Sequence, residues 1–150
     1  MFDRPLEIFV AEDNRADLRY LQIVLDDVGV SYNLHVAEDG EEAVDFFRRQ
    51  GRFAAAPTPD IAFLDLNLPR LDGVQILASV PQGLPLCILT GSPEEEAMVV
   101  HHFNLDVRCY IVKPVDGKKV LDALGSYDNL KDYAAHLALQ RKAHPGSGVN

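Results

Sequence analysis

Two adjacent acids, Glu12 and Asp13, a third acid at Asp65, a hydroxyl at Thr90 and an ammonium at Lys113 are the residues of this chain whose joint chemistry exceeds what each does alone. Each closes a short apolar run, which is where an open parallel sheet gathers its ligand-binding groups. Two carboxylates about 4 Å apart repel by about 4 kcal/mol at an effective dielectric near 20, and a third makes this worse. Cations must balance them. If all three acids are ionised, one divalent ion together with Lys113 closes the site to neutrality. Oxygen donors alone suit Mg²⁺, which takes carboxylates, a carbonyl, waters and phosphate oxygens. His and Cys are missing at ligand spacing beside these positions, so zinc has little support. A carboxylate next to Mg²⁺ and Lys is a nucleophile toward phosphorus, giving an acyl phosphate whose oxygen Thr90 can hydrogen-bond. Singly, each residue also has an ordinary reading. An acid after a strand is commonly a helix cap or a solvated turn residue, and a lone strand-end Thr or Lys is commonly structural. Asp65 departs from that pattern, because it lies between Phe63-Leu64 and Leu66.

The elements that must bring these residues together are readable from periodicity. Five short apolar runs rich in β-branched residues, Leu6 to Ala11, Tyr32 to Val36, Ile61 to Leu66, Leu84 to Thr90 and Val107 to Val112, alternate with segments of helical period. That alternation is the sign of an α/β domain with a buried parallel sheet. Leu18, Leu21, Leu25 and Val28 form one helical stripe that Gly29 stops. Asp39 caps a second helix with Glu42 three residues on, Ala43, Val44 and Phe47 facing inward and Gly51 just past its end. Gly51 to Pro59 reads as a loop. A short helix follows Asp72, with Val74, Ile76 and Leu77 apolar and Pro81 limiting it. Ser92-Pro93-Glu94-Glu95 starts a fourth helix that reaches about Phe103, with His101 and His102 on its surface. A fifth begins near Asp116 and includes Val120, Leu121 and Leu124. Leu130, Tyr133, Ala134, Leu137 and Ala138 share one face of a further helix, and Pro145 to Gly148 reads as a frayed tail.

Composition bounds the rest. The chain has 150 residues, room for one domain, with 47% hydrophobic and 25% charged residues, the balance of a globular protein with a single core. Its formal charge of -9 repels phosphate backbones and anionic lipid, arguing against nucleic acid and membrane surfaces as partners. Cys87 and Cys109, each inside an apolar run, read as packed thiols in a reducing cytoplasm rather than as a disulfide. A secretion signal and a bilayer-spanning run are both missing from the sequence.

Four stretches, Glu12-Asp13, FLDLNLPRLDG from Phe63 to Gly73, ILTGS from Ile88 to Ser92 and YIVKPVD from Tyr110 to Asp116, closely resemble in order and spacing the receiver domain of two-component response regulators. The resemblance runs from about Glu7 to Leu124. It implies a flavodoxin-like (βα)5 doubly wound parallel sheet of strand order 2-1-3-4-5, here with an additional C-terminal helix. It further implies that Asp65 is the phosphoacceptor, taking the group from a phosphohistidine of a sensor histidine kinase or a histidine phosphotransfer protein. Asp13 and Asp65 would ligate Mg²⁺ directly, Glu12 through water and Asn67 through its backbone carbonyl. Thr90 is similar to the family's switch hydroxyl, Tyr110 to the aromatic whose rotamer follows it, Lys113 to its ion-pairing lysine and Lys113-Pro114 to its cis peptide. The first acid is Glu where the family more often has Asp, a longer side chain that still reaches through water. Such a module is a phosphoacceptor rather than a turnover enzyme.

The expected organisation is a receiver domain over residues 5–125, a helical extension over 126–143 and a flexible tail over 144–150. The 26 residues after Leu124 are too few for an output domain with its own core. The YIVKPVD segment and the final helix resemble stand-alone regulators paired with bacteriophytochrome kinases, which tend to dimerise through the fourth helix, fifth strand and fifth helix. On this reading the stripe of Leu130, Tyr133 and Leu137 either supports a homodimer or packs onto its own domain. Three other readings compete. A dehalogenase-type Mg²⁺ phosphohydrolase needs an acid two residues after its nucleophile, where this chain has Asn67. A receiver that binds partners without phosphate has no need of the full set of Glu12, Asp13, Asp65, Thr90 and Lys113. A flavodoxin-type FMN protein needs a phosphate cradle where Glu12-Asp13-Asn14-Arg15 stands.

Overall fold

The computed structural model describes residues 4–91, 97 and 100–143. Five strands, β1 (Leu6–Ala11), β2 (Tyr32–Ala37), β3 (Ile61–Asp65), β4 (Leu86–Thr90) and β5 (Val107–Val112), pair in parallel in the order β2-β1-β3-β4-β5. The helices are α1 (Arg15–Val28), α2 (Gly40–Arg48), α3 (Gly73–Ser79), α4 (Gly117–Gly125) and α5 (Lys131–Ala143). A 3-10 turn at Gly51–Phe53 interrupts the loop expected after α2 and buries Phe53. The start expected at Ser92-Pro93-Glu94-Glu95 lies outside the described residues. Ala97, Val100 and His101 are helical, and His101 and His102 are exposed as expected.

The strands read as unbroken apolar runs because the sheet is covered on both faces. Leu6, Ile8, Val10, Ile61, Phe63, Cys87 and Leu89 point into a core with α1, α4 and α5. The alternate positions, Phe9, Ala11, Ala62, Leu64, Leu86 and Ile88, point into a second core with α2 and α3, where the Phe9 and Phe46 rings stack 3.9 Å apart. Local signals set the helix ends. Asn14, Asp39, Asp72 and Asp116 accept the N–H three residues on, and Gly29 closes α1 at φ 88°.

Three details differ from the sequence reading. The helix α2 ends at Arg48, and Arg49, not Gly51, takes the left-handed cap at φ 57°. The Arg49 guanidinium donates to the Ala56 carbonyl and to Thr58 Oγ1, both at 2.6 Å, which anchors a conformation that glycine adopts more easily. Val74 is 52% exposed, because the buried side of α3 is set by Ile76, Leu77 and Val80 and Val74 lies some 200° from Ile76 around the helix. Ala138 is exposed, one step beyond the buried stripe. That stripe, Leu130, Tyr133, Ala134 and Leu137, is buried against the chain's own first core, so of the two uses expected for it the structure has intramolecular packing.

Tyr127, which periodicity did not single out, is the largest fully buried side chain among the described residues. The register of β4 and β5 slips between Leu86 and Cys87, from Leu86↔Val107 to Cys87↔Cys109, leaving Arg108 as an extra residue. The Tyr127 hydroxyl fills this gap, accepting from the Arg108 N–H at 3.1 Å and donating to the Leu86 carbonyl. Tyr127→Phe keeps the ring and strands both backbone groups, so unfolding by urea should show a loss of about 1–3 kcal/mol. A variant within experimental error of the parent would mean that the hydroxyl contributes nothing there.

Candidate functional site

The carboxyl ends of β1, β3, β4 and β5 carry the residues picked out for their chemistry. Because β1 lies between β2 and β3, the chain reverses its winding there and a crevice opens at that edge. Glu12 and Asp13 follow β1, Asp65 ends β3, Thr90 ends β4 and Lys113 follows β5. Carboxylate oxygens of Glu12, Asp13 and Asp65 lie within 4.8 Å of one another. Glu12 and Asp65 are buried, and Asp13 is exposed.

Lys113 joins this cluster from the far side. Its Nζ lies 2.7 Å from Glu12 Oε1, 2.9 Å from Asp65 Oδ2 and 3.1 Å from Asp17 Oδ2. Its backbone N–H donates to the Thr90 carbonyl at 3.0 Å, so the β4–β5 ladder sets where the side chain starts. The Lys113-Pro114 bond is cis, as the resemblance implies. Burial alone would lower the Lys113 pKa, but hydrogen bonds to Glu12, Asp65 and Asp17 outweigh it and the net shift is upward. The ammonium stays charged. Burial raises the Glu12 pKa and the charge of Asp65 adds to this, against the hydrogen bonds from Lys113 and the Asn14 N–H. One lysine shared among three carboxylates leaves the site short of positive charge.

Asp65 is held at both oxygens. Oδ2 faces Lys113, and Oδ1 accepts the Asn67 N–H at 2.8 Å. Asn67 itself is exposed. The loop after it is fastened to the start of α2: the Gly40 N–H donates to the Pro69 carbonyl at 2.8 Å, and Arg70, at φ 81°, pairs with Asp39 at 3.2 Å and Glu41 at 3.3 Å. Gly40 is required for this approach, since a Cβ there would stand 2.7 Å from that of Leu71. Thr90 is buried at the strand end, and Tyr110, three positions before Lys113, is half-buried against the α2/α3 core.

Asp17 is the site residue that the sequence reading missed. An acid in the first turn of a helix is favoured there by the helix dipole, so its type alone raised no signal. Its position four residues after Asp13 is the available clue, because the first turn of α1 rises directly from the acid pair. The addition changes the charge count: with four carboxylates, Lys113 and one divalent ion leave the site at one net negative charge. The donor set is all oxygen and fits a hard divalent cation.

Residues 8–125 match the family model of the response regulator receiver domain. Response regulator Rcp1 of Synechocystis sp. is 36% identical over 114 residues, covering 73% of this chain and 77% of that protein. The Mn(2+)-bound form of Rcp1 superposes with a TM-score of 0.63 at 28% identity, covering 97% of this chain and 98% of that one. The bacteriophytochrome response regulator RtBRR gives 0.69 at 30% identity, over 92% of this chain and 96% of its own. The phosphorylated cyanobacterial phytochrome response regulator RcpA gives 0.64 at 28% identity, over 97% of both chains. With an acid cluster, a lysine and a strand order that all agree with this likeness, the chain belongs to the receiver-domain response regulators of two-component signalling.

Proposed function

We propose that Asp65 accepts a phosphoryl group from a phosphohistidine of a sensor histidine kinase or histidine phosphotransfer protein. The observation that carries this reading is the setting of Asp65: a buried carboxylate at the crevice, oriented at both oxygens and flanked by Glu12, Asp13 and the Lys113 ammonium. In the reaction one Asp65 oxygen attacks phosphorus, the imidazole nitrogen leaves, and the phosphoryl group becomes the acid part of an acyl phosphate. Lys113 meets the charge on the phosphoryl oxygens, and Thr90, at the end of the adjacent strand, donates to one of them. Glu12, Asp13, Asp65 and the Asn67 carbonyl are the groups that would hold Mg²⁺, which when bound neutralises charge on the transferring group. Thr90 and Tyr110 then act as the switch that carries the change to the β5 face.

The likeness to the bacteriophytochrome response regulator RtBRR and the phytochrome response regulator RcpA supports a bacteriophytochrome as the partner kinase, and the setting proposed for the pair is the cytoplasm. None of the helices, among the described residues, is long and apolar enough to cross a membrane. A homodimer of this protein would use the face of β5, where Val112 is 42% exposed, since the Leu130 to Leu137 stripe is consumed by the chain's own core.

Acetyl phosphate with Mg²⁺ should add one phosphoryl group to the wild-type chain and none to Asp65→Asn, as read by intact mass. An unmodified wild type would sink the proposal. Because Mg²⁺ binds the folded site only, a concentration about a hundred times its Kd should stabilise the domain by roughly 2.7 kcal/mol. Thermal melts with Mg²⁺ and with EDTA check this, and Asp17→Asn, which removes one negative charge from the site, should need more Mg²⁺ for the same shift. Sedimentation of the full chain, before and after phosphorylation, should show a dimer in at least one state that Val112→Asp reduces to a monomer. A monomer in both states would remove the homodimer.

A further inference from the structure

Cys87 and Cys109 are the only cysteines of the chain and stand far apart in sequence, yet the β4–β5 ladder pairs them directly. Neighbouring strands run about 4.8 Å apart, within the Cα separation of about 4.4–6.8 Å that a disulfide spans. Both side chains are on one face of the sheet, in the core shared with α1, α4 and α5. Both are free thiols here; Cys87 is fully buried and Cys109 half-buried.

We propose that this pair is an oxidisable dithiol, in which Cys109 is the attacking sulfur, Cys87 the resolving one and a small-molecule disulfide the oxidant. The asymmetry of the two environments sets the order. The hydrogen bond from the Cys87 thiol pulls the Cys109 pKa down, against burial and the charge of Asp122, while the same bond and deeper burial push Cys87 well up. The half-buried sulfur is thus also the one richer in thiolate. Its thiolate attacks one sulfur of the external disulfide and forms a mixed disulfide, expelling the other half as a thiolate. Cys87 attacks Cys109 Sγ and expels the second half, whose thiolate takes up the Cys87 proton. Two protein thiols are oxidised and one external disulfide is reduced to two thiols. The product bolts β4 to β5 just beyond the register slip that Tyr127 bridges, on the strand that ends in Thr90 and the strand that leads into Lys113.

The test treats the folded full chain with glutathione disulfide, quenches with iodoacetamide and reads intact mass. Wild type should lose two hydrogens and carry no adduct. Cys87→Ala should retain one glutathionyl group, mapped to Cys109, and Cys109→Ala should stay unmodified. Circular dichroism of each variant confirms that it is folded, and wild type unfolded in urea serves as the control for intrinsic reactivity. A folded wild type that keeps a glutathionyl adduct, or that stays reduced while the unfolded chain oxidises, would overturn the dithiol. An adduct on Cys87 in Cys109→Ala would overturn the assigned order.

Discussion

The ion pairs of Lys113 with Glu12, Asp65 and Asp17 are the interaction on which the rest of the structure depends. Three carboxylates from β1, α1 and β3 converge on one ammonium from the end of β5. Without that cation, the buried acids would repel one another and lose their hydration together. With it, they can share a crevice, but one lysine does not balance them, and Asp13 stands at the mouth with no link to Lys113 among the bonds described. The imbalance is what makes the site receptive to a divalent ion. A fully neutralised cluster would be a stable structural feature with little affinity for a metal.

Such a cluster needs a scaffold that tolerates crowded charge. Residues from four strands meet at one edge only if the strands run parallel and in register, and that requires a cover on both faces of the sheet. Alternate burial of β1 and β3 side chains in two separate cores supplies it. The loop that carries Asn67 is held in turn by α2, through Gly40, Asp39 and Glu41. Asp65 is therefore positioned by strand pairing on one side and by a fastened loop on the other.

Most of this arrangement was legible in the sequence, because a sheet buried on both faces leaves continuous apolar runs whose last residues mark its ligand edge. Glu12, Asp13, Asp65 and Lys113 were found that way. What escaped is what depends on three-dimensional approach. Asp17 looks like any acid favoured by a helix dipole, and only the placement of β5 gives it a lysine. Tyr127 sits between Ser126 and Asp128, in a stretch that reads as a connection, and its importance comes from a register slip that no local pattern announces. The left-handed Arg49 escaped because a nearby glycine offered the cheaper cap, while the cost at Arg49 is offset by two side-chain hydrogen bonds.

The match to the family model ends at residue 125, but the packing does not. Tyr127, Leu130, Tyr133 and Leu137 belong to the same core as the strands, and Tyr133 accepts the Ser31 N–H at 3.2 Å where the chain enters β2. Arg141 reaches Asp27 at 3.2 Å and lies over Gly117, where an added Cβ would come within 3.3 Å of the guanidinium. The terminal helix thus ties the end of α1 to the start of α4, the helix that follows Lys113 and the cis proline. Its inner face is spent on this work. Only its outer face, with Leu139 67% exposed, is left to meet anything else. A helix bound this way is better placed to steady the β5 end of the site than to swing out toward a partner.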